Sequence, residues 1–322
     1  MAQPDGDPDR GRHAMTLRKA VRKHTMVRRQ TLAQTSRLEG IGLHGGRPVR
    51  MRMLPAAAET GIVFARTDAG GVEIPATLDH AGPSCYATVL ERQGVRVGTI
   101  EHLMAALYAL QVDDARIELD APEPPILDGS SRPFVEAILA CGRTALETER
   151  QYLTLTRPVV VSDGEKRIAA YPAEEYRVTY AIDFEHPLLG YQELSVSLWQ
   201  ERAFVEKLAP ARTFTFESEV AALRDRGLAL GGSLDNAIVL GAHGLLNPSA
   251  LRFPDEFVRH KMLDLTGDLS LLGRPLLAHV VAYRAGHELH GRLARRIWNS
   301  RDSWFLAPWP GQAPELETAA RG

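Results

Sequence analysis

An internal repetition constrains this chain more than any other feature. Leu43-His44-Gly45-Gly46-Arg47 leads into an alternating run, Val49-Arg50-Met51-Arg52-Met53, then Pro55-Ala56, then Gly61-Ile62-Val63-Phe64 closing at Asp68. Ser162-Asp163-Gly164-Glu165-Lys166 leads in the same way into Arg167-Ile168-Ala169-Ala170-Tyr171, then Pro172-Ala173, then Val178-Thr179-Tyr180-Ala181-Ile182-Asp183. Each stretch is a glycine turn, a strand of period two, a Pro-Ala break and a second strand ending in Asp. The sequels match as well. Residues 100–107 read as a helix with Ile100, Leu103, Met104 and Leu107 on one face and Thr99 as the expected N-cap, followed by a strand over 115–119 and a helix over 133–141. In the second half the helix spans 256–272, the strand 278–283 and the last helix 287–298. The pattern predicts two similar α+β domains, each a sheet with helices on one face. The expected divisions are a disordered basic arm over 1–29, domain I over 30–147, domain II over 148–303 and a loose Pro- and Gly-rich tail over 304–322.

Composition narrows the chemistry. Hydrophobic residues make up 44% of the 322 and charged residues 24%, enough apolar material for a real core. The formal net charge of −2 gives no electrostatic case for a nucleic-acid partner. That charge is an average: residues 1–30 carry eight Lys or Arg against three Asp, so they hold +5 and the remainder is near −7. No apolar run follows the basic arm, so it does not read as a secretory signal. No stretch approaches the roughly eighteen apolar residues a transmembrane helix needs. A cytoplasmic monomer is the expectation. Cys85 and Cys141 are the only two cysteines, which excludes a four-cysteine zinc site and leaves histidine and carboxylate to hold any metal.

One helix stands out. Along residues 256–272, Val258, Met262, Leu265, Leu269 and Leu272 form an apolar stripe, while His260, Asp264 and Asp268 recur every four residues on the other side. One turn brings His260 and Asp264 side by side, close enough to share a tetrahedral zinc. Asp268 lies where an outer carboxylate can orient another histidine. The plainer alternative is a solvated face, yet that face lacks a Glu/Lys ladder. The matching helix of the first half opens with Glu101-His102. If those two helices meet, His102, His260 and Asp264 supply three ligands and leave a fourth position open for water, with Glu101 placed as a general base. His287 lies on a turn after a strand, and Thr213 offers a hydroxyl suited to an oxyanion; a cap or surface role is the ordinary alternative for each.

Five segments together resemble the UDP-3-O-acyl-N-acetylglucosamine deacetylases, the LpxC family, which carry out the committed step of lipid A synthesis. They are residues 101–107, 125–130, 211–214, 231–236 and 252–264, and the resemblance runs from about Gln30 to Trp298. It implies helices packed face to face between the two sheets, a zinc ion (iron(II) also suits such a site) on His102, His260 and Asp264, and Glu101 as general base. It further implies His287 as general acid with Asp268 as its carboxylate partner, Thr213 on the oxyanion, and Lys261, Phe214 and Lys166 on a UDP-linked, acylated N-acetylglucosamine substrate. A short segment over 186–202 stands where the family's insert shapes an acyl passage, and the resemblance puts bulky Tyr86 in a loop that borders the metal in this family. The rival readings are a zinc amidohydrolase on another acylated sugar and a non-catalytic binder of a nucleotide-sugar or acyl ligand.

Overall fold

The computed structural model describes residues 26–84 and 86–309. Among them are six α-helices: α1 (Glu101–Ala109), α2 (Arg132–Cys141), α3 (Glu201–Lys207), α4 (Glu217–Asp225), α5 (Glu256–Leu269) and α6 (His287–Asn299). None is long and apolar enough to cross a membrane.

The repetition read from sequence is a repetition of topology. In the first sheet the strands lie in the order Ser36–Ile41, Pro48–Pro55, Ala115–Leu119, Ile62–Arg66, Val72–Pro75. The neighbours run antiparallel, antiparallel, parallel, antiparallel. In the second sheet Val159–Asp163, Lys166–Pro172, Leu276–Tyr283, Tyr176–Phe184 and Gly190–Ser197 lie in the same order with the same directions. Both sheets put α1 or α5 before their central strand and α2 or α6 after it. The fold is α+β, two similar domains with helices between the sheets. Alternation does the local work in the first sheet: Val49, Met51 and Met53 point into the core while Arg50 and Arg52 face outward; in the second, Ile168 and Ala170 join the core and Ala169 between them is buried as well.

α1 and α5 cross at very short range, and one residue permits it. A Cβ on Gly267, in the last turn of α5, would stand 2.1 Å from the carbonyl oxygen of Glu101. Only glycine fits there, despite its cost inside a helix. Gly267→Ala should force the helices apart, costing about 1–3 kcal/mol or more, and lower turnover as Glu101 moves. An unchanged melting temperature would show that the crossing is slack.

Four expectations change. Residues 304–308 are not part of a loose tail: Trp304–Pro308 pairs antiparallel with all of Gln151–Leu155. Arg28 and Arg29 belong to a strand, Arg28–Leu32, not to an arm, and buried Arg29 forms an ion pair with Asp114 at 2.7 Å. Of the expected arm and tail, residues 1–25 and 310–322 lie outside the described residues. Thr99 does not cap α1, since an N-cap needs an extended backbone, whereas Thr99 has φ 54° and its hydroxyl is buried without a partner. Finally, the stretch 186–202 holds the strand Gly190–Ser197, paired antiparallel with Tyr176–Phe184. The added unit of the second half comes later: Phe214–Phe216 and Ile238–Leu240 pair in parallel around α4, an arrangement absent among the described residues of the first half.

Candidate metal centre and catalytic cleft

α5 is buried on nearly every side, so its polar stripe is not a wet face: His260, Asp264 and Asp268 are each at most 3% exposed. The stripe faces α1. Asp264 Oδ1 stands 3.2 Å from His260 Nε2 and 3.6 Å from His102 Nε2, and the two imidazoles meet edge to face. The Nδ1–H of His260 donates to the carbonyl of Ala211 at 3.1 Å, which leaves Nε2 bare toward Asp264. Burial pushes the His260 pKa down to about 4, so the ring is neutral. Burial alone would raise the carboxyl of Asp264, but His260 and Lys261 outweigh it and hold the group well below the usual range. Its Oδ2 accepts from Lys261 Nζ at 3.0 Å, while Oδ1 is buried with no hydrogen-bond donor. An ionised oxygen left so costs several kcal/mol in a dry interior. Two imidazole lone pairs and one orphaned carboxylate oxygen, all within 4.8 Å, fit a cation held in common.

Glu101 borders this group. Its Oε2 accepts the backbone N–H of Thr88 at 3.0 Å, and its Oε1 lies 4.0 Å from His287 Nε2. Burial raises its pKa, with His287 and His102 opposing. On the other flank, His287 Nδ1 meets Asp268 Oδ2 at 2.7 Å. Burial works against a charged imidazole, but Asp268, Asp264 and Glu101 prevail and raise the His287 pKa to about 9. A carboxyl with a raised pKa and an imidazole with a raised pKa thus face each other across the group that can hold a metal. That is how sites set a base against an acid.

A family profile described as UDP-3-O-acyl N-acetylglycosamine deacetylase matches residues 29–299. The chain belongs to that deacetylase family. Among its relatives is the UDP-3-O-acyl-N-acetylglucosamine deacetylase of Syntrophotalea carbinolica, 45% identical over 282 residues that cover 87% of this chain and 91% of the relative. The Myxococcus xanthus deacetylase is 44% identical over 294 residues, covering 91% and 93%. The Anaeromyxobacter dehalogenans deacetylase is 44% identical over 268 residues, covering 83% and 86%.

Several segments that carry the family resemblance build the frame of the site. Arg212 reaches Glu256 through Nε at 2.9 Å, and Glu256, wholly buried, also takes the N–H of Arg212 and of Arg252. This pins Ala211, which orients His260, and Thr213 beside it. Arg252 then bonds Asp128 at 2.9 Å, tying the second half to the first. Gly129, at φ 80°, passes so close to the Asn236 carbonyl that a Cβ would sit 1.9 Å from it.

The remaining predicted residues converge on one cleft of about 480 Å³, whose walls include Lys166, Thr213, Phe214, Lys261, His287 and Tyr86. Phe214 stands edge-on to Phe257 of α5 and to His260. Tyr86, half exposed, also borders a neighbouring cavity of about 380 Å³. That cavity is walled by Leu43, Val220, Leu223, Ala237, Val239 and Leu246, chiefly from the added unit around α4. Sequence reasoning missed three residues here. His290 and Tyr180 extend the Asp268 network, and the Thr88 hydroxyl reaches Asp268. His290 left a signal, since it lies three residues after His287 on the same helical face. Thr88 sits in a loop with no pattern to betray it.

Proposed function

We propose that this chain is a zinc-dependent deacetylase that removes the N-acetyl group of UDP-3-O-(3-hydroxyacyl)-N-acetylglucosamine in lipid A synthesis. One observation carries the reading: Asp264 Oδ1, buried and without a donor, faces the ring nitrogens of His102 and His260, with Glu101 and His287 at either side. His102, His260 and Asp264 would hold the ion. A zinc ion so held supplies Lewis acidity, drawing the pKa of a water toward about 7 and polarising the acetyl carbonyl.

The protein's own groups do the rest. Glu101 takes a proton from the attacking water. The Thr213 hydroxyl donates to the oxyanion that forms as the carbonyl carbon becomes tetrahedral. His287 gives its Nε2 proton to the glucosamine nitrogen as the C–N bond breaks, because an amide nitrogen leaves poorly as an anion. Acetate and a free amine result. Lys261, Phe214 and Lys166 hold the sugar nucleotide in the cleft, and the apolar cavity beside α4 receives the acyl chain.

The test is release of acetate from that substrate by purified protein, with and without a chelator. Release should stop on complete metal removal and return with zinc. Release that survives metal removal overturns the metal assignment. No release from this substrate, but release from another N-acetylated, acylated sugar, moves the enzyme to a different substrate.

A further inference from the structure

Asp268 is gripped from three directions. Its Oδ1 accepts a hydrogen bond from Thr88 Oγ1, and its Oδ2 accepts from Nδ1 of both His287 and His290, each at 2.7 Å. His290 is wholly buried, and its Nε2 lies 3.0 Å from the hydroxyl of Tyr180, also wholly buried. That hydroxyl in turn lies 2.7 Å from the carbonyl of Ala285, on the turn that leads into His287. Thr88 comes from the other half of the chain and is 4% exposed. Its backbone N–H donates to Glu101 Oε2 while its hydroxyl donates to Asp268. One residue therefore touches both the carboxylate assigned as base and the carboxylate behind the assigned acid.

Asp268, His287 and His290 have the composition of a second metal site, but their geometry is that of a hydrogen-bonded set. Both Nδ1 atoms sit at N–H···O distance from the same oxygen. Both Asp268 oxygens thus have donors, in contrast to the orphaned oxygen of Asp264.

We propose that Thr88 and His290 are positioning residues that lock the Asp268 carboxylate and thereby aim His287 Nε2, which stands 3.8 Å from Asp264 Oδ2 and 4.0 Å from Glu101 Oε1. Without the clamp Asp268 can turn about its own side-chain bonds, and His287 turns with it. Misaiming a proton donor slows the step it serves without weakening substrate binding. The inference rests on the reading of His287 as the proton donor.

The experiment is steady-state acetate release by the full, zinc-loaded chain carrying Thr88→Val or His290→Leu, with Thr88→Ser and His290→Asn as donor-retaining partners. Metal content and melting temperature are measured for each variant. Thr88→Val and His290→Leu should lower kcat about 10–100-fold, as loss of an outer hydrogen-bonding partner does, with KM within about two-fold of wild type. Serine and asparagine keep an O–H or N–H near the same place and should restore most of the loss. The clamp is overturned if kcat stays at the wild-type level, if the loss appears in KM, or if the donor-retaining variants are no better. Should His290→Leu fail to fold, Thr88→Val decides from the other side of the carboxylate. Inactive wild-type protein refutes the functional reading; active wild type with unaffected variants refutes only the clamp.

Discussion

Glu101→Gln should retain the metal and lose about 10²–10⁴-fold in turnover, the range that a positioned general base contributes. Glutamine keeps the size of the side chain and an oxygen for the Thr88 N–H, so the loop and the start of α1 should stay in place. It cannot take a proton. Glu101 is suited to that task because burial raises its pKa toward the working range, while the neighbouring His287 and His102 keep the carboxylate form accessible. The raised value also fixes a sign. A base works ionised, so activity should fall as pH drops through the Glu101 pKa, and this acid limb should sit above the position of an ordinary glutamate. Turnover at saturating substrate and metal content by atomic absorption check the prediction. A variant within about tenfold of wild type would place the base elsewhere.

Much of this arrangement was legible in the sequence, and the parts that were not share a cause. The two glycine turns and their period-two strands announced the two sheets, because alternation and turn chemistry are local. His260, Asp264 and Asp268 announced themselves by helical spacing. What spacing could not tell is which way the stripe faces. α5 reads as amphipathic, yet it is buried on nearly every side, because its polar stripe meets α1 rather than water. The close crossing depends on Gly267, whose absent side chain carries no periodic signal. Thr99 fits an N-cap by residue type, yet α1 starts with Ile100 at the cap position and Thr99 has φ 54°. Trp304–Pro308 was hidden by the Pro- and Gly-rich residues after it, and its pairing with Gln151–Leu155 lies some 150 residues away in sequence. The unit around α4 has strands of three residues each, too short for alternation to register.

His287→Gln should remove the alkaline limb of the pH profile and lower kcat by about 10²–10⁴-fold. A pKa near 9 means that His287 carries its second proton through neutral pH and loses it only in alkali. Activity that needs the proton is therefore present below that value and lost as pH rises through it. The shift comes from Asp268, Asp264 and Glu101 together, against the cost of burial, so Asp268→Asn should draw the limb toward lower pH by removing the nearest charge. Lys261, which lines the cleft and contacts Asp264, is another proton-bearing group, and it gives the outcome that would reassign the acid. If the limb persists in His287→Gln but vanishes in Lys261→Met, the ammonium supplies the leaving group's proton. Geometry favours the imidazole. The ammonium of Lys261 is engaged with Asp264 Oδ2 at 3.0 Å, on a flexible stem. His287 is braced by a carboxylate that is itself held on three sides, with its Nε2 left to face Glu101 and Asp264.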